Sequence, residues 1–325
     1  MLVAYVPGGG ALRAETIAME GVAPPGAVWM DLITPASLED EIVERAVGVE
    51  IPTRDEMQEI EASSRLFVEH DARYMTLSVL CGGNTDEPEI TPLTFILTDK
   101  ALVTVRYSEP RAFGMVSERL QRSCPVHITG EVVLMDLLDT VVDRIADILE
   151  QVGIGIERLS RRIFEPTAKG ANANQLYRAI LSQVGRKEGL TSYARESLSS
   201  LARMLAFLST DGEGTPLSPA SRDAIKSMTR DVTGLSDYAA FLANKLQFLL
   251  DATIGMVGLE QNNIIKIFAV LSVVLMPPTL IASIYGMNFQ HMPELADTYG
   301  YPAALCAMVV SGILPYLFFK WRRWL

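Results

Sequence analysis

Cysteine, histidine and tryptophan are all scarce, with three of each in 325 residues. Cys81, Cys124 and Cys306 lie far apart and are odd in number. That excludes a disulfide framework and a zinc ligand set, and it points to a reducing compartment. His70, His127 and His291 are too scattered to build a metal site from imidazoles. Basic charge is also short: 28 basic against 39 acidic side chains leave a net charge of −11. A nucleic-acid partner, which needs a basic stripe, is therefore not expected. No phosphate loop is written either, because the GGG at 8–10 has neither a GKS/GKT nor a GxGxxG context. No nucleophile–base pair stands out, so neither an enzyme nor a cofactor is implied. The start, MLVAYVPGGG, has no basic region followed by an apolar one. A cleavable signal peptide is not expected, and the soluble part should stay in the cytoplasm.

What is abundant is apolar sequence in one place. The chain is 49% hydrophobic with a mean hydropathy of +0.22, although 21% of it is charged. The excess sits in residues 267–284 and 301–319, which carry no charge at all. Each run is close to the roughly 20 residues that cross about 30 Å of hydrocarbon. Charge is segregated too: residues 1–130 hold 20 acids and 10 bases, while 264–325 hold 2 acids and 4 bases. An acidic amino-terminal third gives solubility, or it binds divalent cations; composition leaves both open.

Residues 1–107 mix short strand patterns with helical ones. VWMDL (28–32), SRLFVEHD (64–71), RYMTLSVL (73–80), TPLTFIL (91–97) and ALVTVRY (101–107) read as strands, with Asp99-Lys100 at a hairpin turn. Residues 37–49, opened by Ser37 as a cap, and 54–62 read as helices. The expectation is a small α/β domain with a mostly antiparallel sheet. From about residue 130 apolar residues recur at helical spacing, over 131–164 and again over 175–208. TDGEGTPLSP (210–219) breaks the second helix from a third, which runs from Ala220 toward the first apolar run without a strong stop. The fold class is thus an α+β membrane protein. Residues 1–129 form an acidic cytoplasmic α/β domain, 130–263 a long-helix stalk, and 264–325 a membrane region. Its spans lie at about 265–285 and 301–319, joined by an outer loop, 286–300.

Lys266 precedes the first span, Lys320, Arg322 and Arg323 follow the second, and the link carries Glu294 and Asp297 but no base. The positive-inside rule puts both termini in the cytoplasm. Along the first span, Asn262, Ile265, Ala269, Ser272, Met276, Thr279 and Ser283 fall on one stripe that collects the segment's hydroxyls. Small hydroxyls on one face mean tight helix packing in lipid or a pore lining; the pattern alone leaves both open. Pro277-Pro278 removes two backbone donors mid-span, a break tolerated where neighbours or water repair it. Two spans cannot enclose a pathway, so a pore would need an oligomer.

Gly286-Met287-Asn288, at the outer end of the first span, resembles the GMN signature of the CorA family of magnesium transporters. The flanking MPPTLIASIYGMNFQHMPEL (276–295) and YGYP (299–302), the two short-linked spans and the long preceding helix strengthen the likeness. The resemblance implies a funnel-shaped homopentamer embedded in membrane lipid, with first spans around one pore. Its cargo and regulatory ligand would be Mg²⁺, with Co²⁺ and Ni²⁺ as further cargo, in the bacterial inner membrane. Asn288 would form a ring of amides at the outer mouth, with Gly286 turning the chain behind it and Met287 between them. Asn262, Thr279 and Ser283 match pore-lining positions, Ser272 shares their stripe, and Ile265, Phe268 and Met276 match hydrophobic constrictions. Glu294 would concentrate cations outside. Glu59, in RDEMQEIE (54–61), and Asp231, in TRDV (229–232), resemble ligands of an inhibitory divalent site between neighbouring subunits. A zinc transporter of the same superfamily, and a metal-sensing membrane protein that does not conduct, are the alternatives.

Overall fold

The computed structural model describes the chain apart from residues 19–20, 60, 84, 86, 165–170, 211–215, 289–291, 293–298 and 323–325. It divides into two compact units, residues 1–167 with 178–250, and residues 168–177 with 251–325.

The first unit is built on a seven-stranded sheet. Its strands are β1 (Leu2–Gly8), β2 (Ala11–Ile17), β3 (Trp29–Ile33), β4 (Leu66–Glu69), β5 (Ala72–Cys81), β6 (Glu89–Leu97) and β7 (Leu102–Arg106). They lie in the order β2-β1-β3-β7-β6-β5-β4, antiparallel throughout except where β3 pairs with β7. β1 and β2 go beyond the sequence expectation. Their hairpin turns at Gly9 and Gly10, whose φ values of 68° and 84° suit the two-residue turn that matches strand twist. The same Gly-Gly pair that cannot cradle a phosphate makes a hairpin.

Helices α1 (Ser37–Val47), α2 (Arg54–Gln58) and α3 (Ala62–Arg65) lie between β3 and β4, and α4 (Arg111–Arg122) follows β7. Ser37 does not cap α1: Ala36 holds that position and has no side-chain acceptor. Glu39 takes over, accepting the Ala36 N–H at 3.0 Å and the Met1 ammonium at 2.8 Å. The helix expected over 54–62 breaks, because Glu59 is extended (ψ 143°). α2 is instead capped by Thr53. One face of the sheet buries Leu2, Met30, Leu32, Val103 and Val105 against Ile42, Val43 and Val47 of α1. On the other, Tyr5 stacks on Trp29, and Phe113 of α4 lies 6.0 Å from Trp29 and 6.3 Å from Phe95. Across the parallel pair a polar knot is closed in the core. Trp29 donates to Thr104, Thr104 donates to Asp31 at 2.7 Å, and Arg106 donates to Asp31 Oδ1 from Nε and to Oδ2 from Nε and Nη2. All its charges are paired, as buried ions must be.

Three long helices complete the architecture: α5 (Gly130–Phe164), α6 (Ala171–Ser209) and α7 (Pro219–Tyr285). α5 and the first part of α7 run parallel. Glu131 accepts from the Ser218 N–H, Glu157 pairs with Lys245, and Phe164 stacks on Phe248. α6 packs against β5, where its Ser200 hydroxyl accepts the Ser78 N–H and its Phe207 lies under Arg73. At 67 residues α7 is about 100 Å long at about 1.5 Å per residue. It belongs to the first unit up to Leu250 and to the second from Asp251. α8 (Gly300–Trp321) is the last helix of the second unit.

Candidate functional site

The carboxyl-terminal part of α7 and α8 are both long and apolar enough to cross a membrane, and almost none of either window is buried. They touch along one face. Val270 is 5% exposed and Ala304 8%. A β-carbon at Gly312 would lie 3.5 Å from Pro278 Cγ and 3.7 Å from the Val274 carbonyl oxygen. That carbonyl is one that Pro278 leaves without its helical donor, so the proline break is turned toward the small residue of α8.

The predicted stripe lies on the other side. Residues two apart on a helix are about 200° apart around its axis, so Ser272, Met276 and Thr279 point away from the Val270–Val274–Pro278 contact. Ile265 and Phe268 are each 64% exposed and Met276 68%, and Asn262, Ser272, Thr279 and Ser283 are exposed too. Leu271, Ser272, Leu275, Met276, Thr279, Leu280 and Ser283 line an open groove of about 530 Å³. Two of its hydroxyls have committed their hydrogens. Ser272 donates to the Phe268 carbonyl at 2.9 Å and Thr279 to the Leu275 carbonyl at 2.7 Å. Each oxygen is left as an acceptor only. Water bound to a cation presents O–H donors outward, so a face of hydroxyl acceptors can hold a hydrated cation without replacing its water.

α7 ends where the tripeptide begins. The Gly286 N–H closes the last turn on the Ala282 carbonyl at 2.9 Å, and a β-carbon at Gly286 would press on that oxygen at 3.1 Å. Met287 and Asn288 follow, both exposed. Gly286 has no left-handed φ; its role here is room at the helix end. Glu294 lies outside the described residues.

Glu59 and Asp231 are both exposed, in the first unit, with no hydrogen bond or ion pair between them. The carboxylate on which Asp231 bears is Asp143 of α5, whose pKa is raised by burial first, then by Asp139, Asp147 and Asp231. Asp139, Asp143 and Asp147 stand at four-residue spacing on α5. That signal was present in the sequence, but pairing it with Asp231 requires the parallel α5–α7 register. No group of three or more metal-binding side chains forms within the chain among the described residues.

Residues 25–322 match the family described as CorA-like Mg²⁺ transporter protein. The chain is 35% identical over 299 residues to the magnesium transport protein CorA of Pasteurella multocida, covering 92% of each chain. It is also 35% identical to that of Yersinia pseudotuberculosis, with the same coverage. Among solved structures it resembles the complete CorA magnesium transporter of Methanocaldococcus jannaschii. The TM-score there is 0.76 at 17% identity, over 98% of this chain and 97% of the other. The match spans the sheet, the long helix and both candidate spans, and the chain belongs to the CorA-like Mg²⁺ transporter family.

Proposed function

We propose that the chain is one subunit of a homopentameric, channel-like pore that carries Mg²⁺ into the bacterial cytoplasm down the membrane potential. Co²⁺ and Ni²⁺ are further cargo. The observation that carries this reading is the α7 stripe, exposed opposite α8, with hydroxyls held as acceptors and with Gly286-Met287-Asn288 at its end. The magnesium-transporting relatives supply the cargo.

The chemistry is consistent. Mg²⁺ gives up its water reluctantly and demands an octahedral shell. A ring of Asn288 amides can accept hydrogen bonds from that water while remaining neutral enough to release the ion. Ile265, Phe268 and Met276 would close the pore by excluding water, and Asn262, Thr279 and Ser283 would line it between those collars. Moving two charges through 100 mV is worth about 4.6 kcal/mol, so the potential alone drives uptake. Lys266, Lys320, Arg322 and Arg323 set both termini in the cytoplasm of the inner membrane.

Internal Mg²⁺ would bind between Glu59 of one subunit and Asp231 of the next. Asp143 on α5 bears on Asp231, and its own pKa is raised by partial burial first and then by the neighbouring carboxylates. A divalent ion there relieves carboxylate repulsion and holds the pore shut; loss of the ion lets the ring loosen.

Purified protein in liposomes tests the reading with Mg²⁺ and Zn²⁺ offered separately under a clamped potential. Mg²⁺ entry that grows as the inside becomes more negative, and that internal Mg²⁺ suppresses, is the expected result. Zn²⁺ entry tracking a pH gradient, with no Mg²⁺ entry, would overturn it.

A further inference from the structure

The chain has seven lysines, and those of the long helices are held in different ways. Lys226 pairs with Asp223 at 3.1 Å, and Lys245 pairs with Glu157. The Lys187 carbonyl on α6 accepts from the Thr191 hydroxyl, but its ammonium has no hydrogen bond or ion pair among the described residues. Its side chain lies across α5 at Gly155, where a β-carbon would stand 2.1 Å from Nζ and 2.2 Å from Cε. The amine thus occupies space that any residue but glycine would fill. It is half-buried there, and the charged group that bears on it is another cation, Arg158, one turn along α5 from the notch.

Burial first, and the like charge of Arg158 second, draw the Lys187 pKa below the ordinary lysine value. Both influences favour the neutral amine, and the neutral amine is the nucleophile. An unperturbed lysine is neutral in well under about 1% of molecules at pH 8. The neighbouring guanidinium adds a second property, since arginine presents a planar fork of donors that matches phosphate oxygens. A reagent that is both an electrophile and a phosphate meets both groups at once.

We propose that Lys187 is an acylation site, where Nζ in the Gly155 notch attacks the carbonyl carbon of a small acyl phosphate whose phosphate rests on Arg158. The C–N bond forms as the bond from the acyl carbon to the bridging oxygen breaks. The electron pair leaves with the phosphate, whose charge the guanidinium holds, and the surplus amine proton passes to solvent. The products are an uncharged amide and inorganic phosphate, with no oxidant or reductant involved. Acylation removes the Lys187–Arg158 repulsion and enlarges the group lodged between α5 and α6.

The test is incubation of the full chain in detergent with acetyl phosphate, followed by mass spectrometry of each lysine's peptide. Lys187 is expected to acetylate severalfold faster than Lys226, because burial first and Arg158 second hold its amine below the ordinary lysine value and leave more of it neutral. Arg158→Gln should slow Lys187 severalfold and leave Lys226 unchanged. Gly155→Ala, which raises helix propensity and so does not threaten folding, should push the amine out of the notch and bring Lys187 down to the Lys226 rate. Acetylation of Lys187 no faster than Lys226 overturns the proposal. So does a fast reaction that an acyl thioester matches and that Arg158→Gln does not change.

Discussion

Gly130 begins α5 directly against the sheet. A β-carbon there would stand 2.4 Å from the Leu102 nitrogen and 2.7 Å from the Ala101 carbonyl carbon, and backbone cannot swing aside as a side chain can. Gly130→Ala, ordinarily favourable in a helix, is therefore expected to lose about 1–3 kcal/mol through overpacking. Thermal unfolding of the full chain in detergent would show it, and an unchanged or raised Tm would contradict the geometry. Asp40 on α1 makes a different prediction. Burial, then Glu44 and Glu39, push its carboxyl up to about 6 from an ordinary 3.8, and its buried Oδ1 has no hydrogen-bond partner. Because the folded pKa is the higher one, the fold disfavours the charged form. Stability is fully retained below about pH 4 and declines as pH rises through 6. Asp40→Asn should then stabilise at pH 7.5, by about 1 kcal/mol once its partial exposure is discounted, and lose the advantage near pH 4. Equal gains at both pH values would remove the electrostatic account. Neither effect is written in the sequence, where Gly130 looks like a helix boundary and Asp40 like any surface acid.

Elements were legible where periodicity was long. The helices over 131–164 and from Ala220 onward emerge within a residue of their expected starts, because apolar spacing repeated over many turns leaves little choice of face. Short elements were harder. β2 buries Leu12 but exposes Arg13 through Glu15, so it shows no strand alternation, and only its Gly-Gly turn signals a hairpin. The apposition of Pro278 and Gly312 was hidden as well, since nothing in either span announces its partner. It carries the element-scale prediction. A β-carbon at Gly312 meets Pro278 at ordinary contact distance, so Gly312→Ala should pack with little change. Gly312→Leu forces α8 off α7 and should cost about 1–3 kcal/mol. Thermal unfolding of the full chain in detergent should be little changed in the first variant and lowered in the second. An equal Tm in both would place the contact elsewhere.

At the scale of the molecule, the division of labour follows from where apolar surface and charge were placed. An acidic α/β domain buries its own core and pairs its internal charges at Asp31 and Arg106. The carboxyl-terminal helices leave nearly all their apolar side chains outward, which makes sense only against lipid or other copies of the chain. The tripeptide and the hydroxyl stripe were visible in sequence because they lie on one helix. The acidic row of Asp139, Asp143 and Asp147 facing Asp231 became visible only when two helices distant in sequence were set side by side. The proposed role of Asn288, admitting hydrated Mg²⁺ at the end of that stripe, is tested by voltage-clamped Mg²⁺ entry into liposomes holding wild type or Asn288→Ala. Entry should rise with inside-negative potential in the wild type and be about tenfold or more lower in the variant, the loss of about 1.4 kcal/mol or more from the permeating ion. Equal entry in the two proteins, or none in the wild type at any potential, would contradict it.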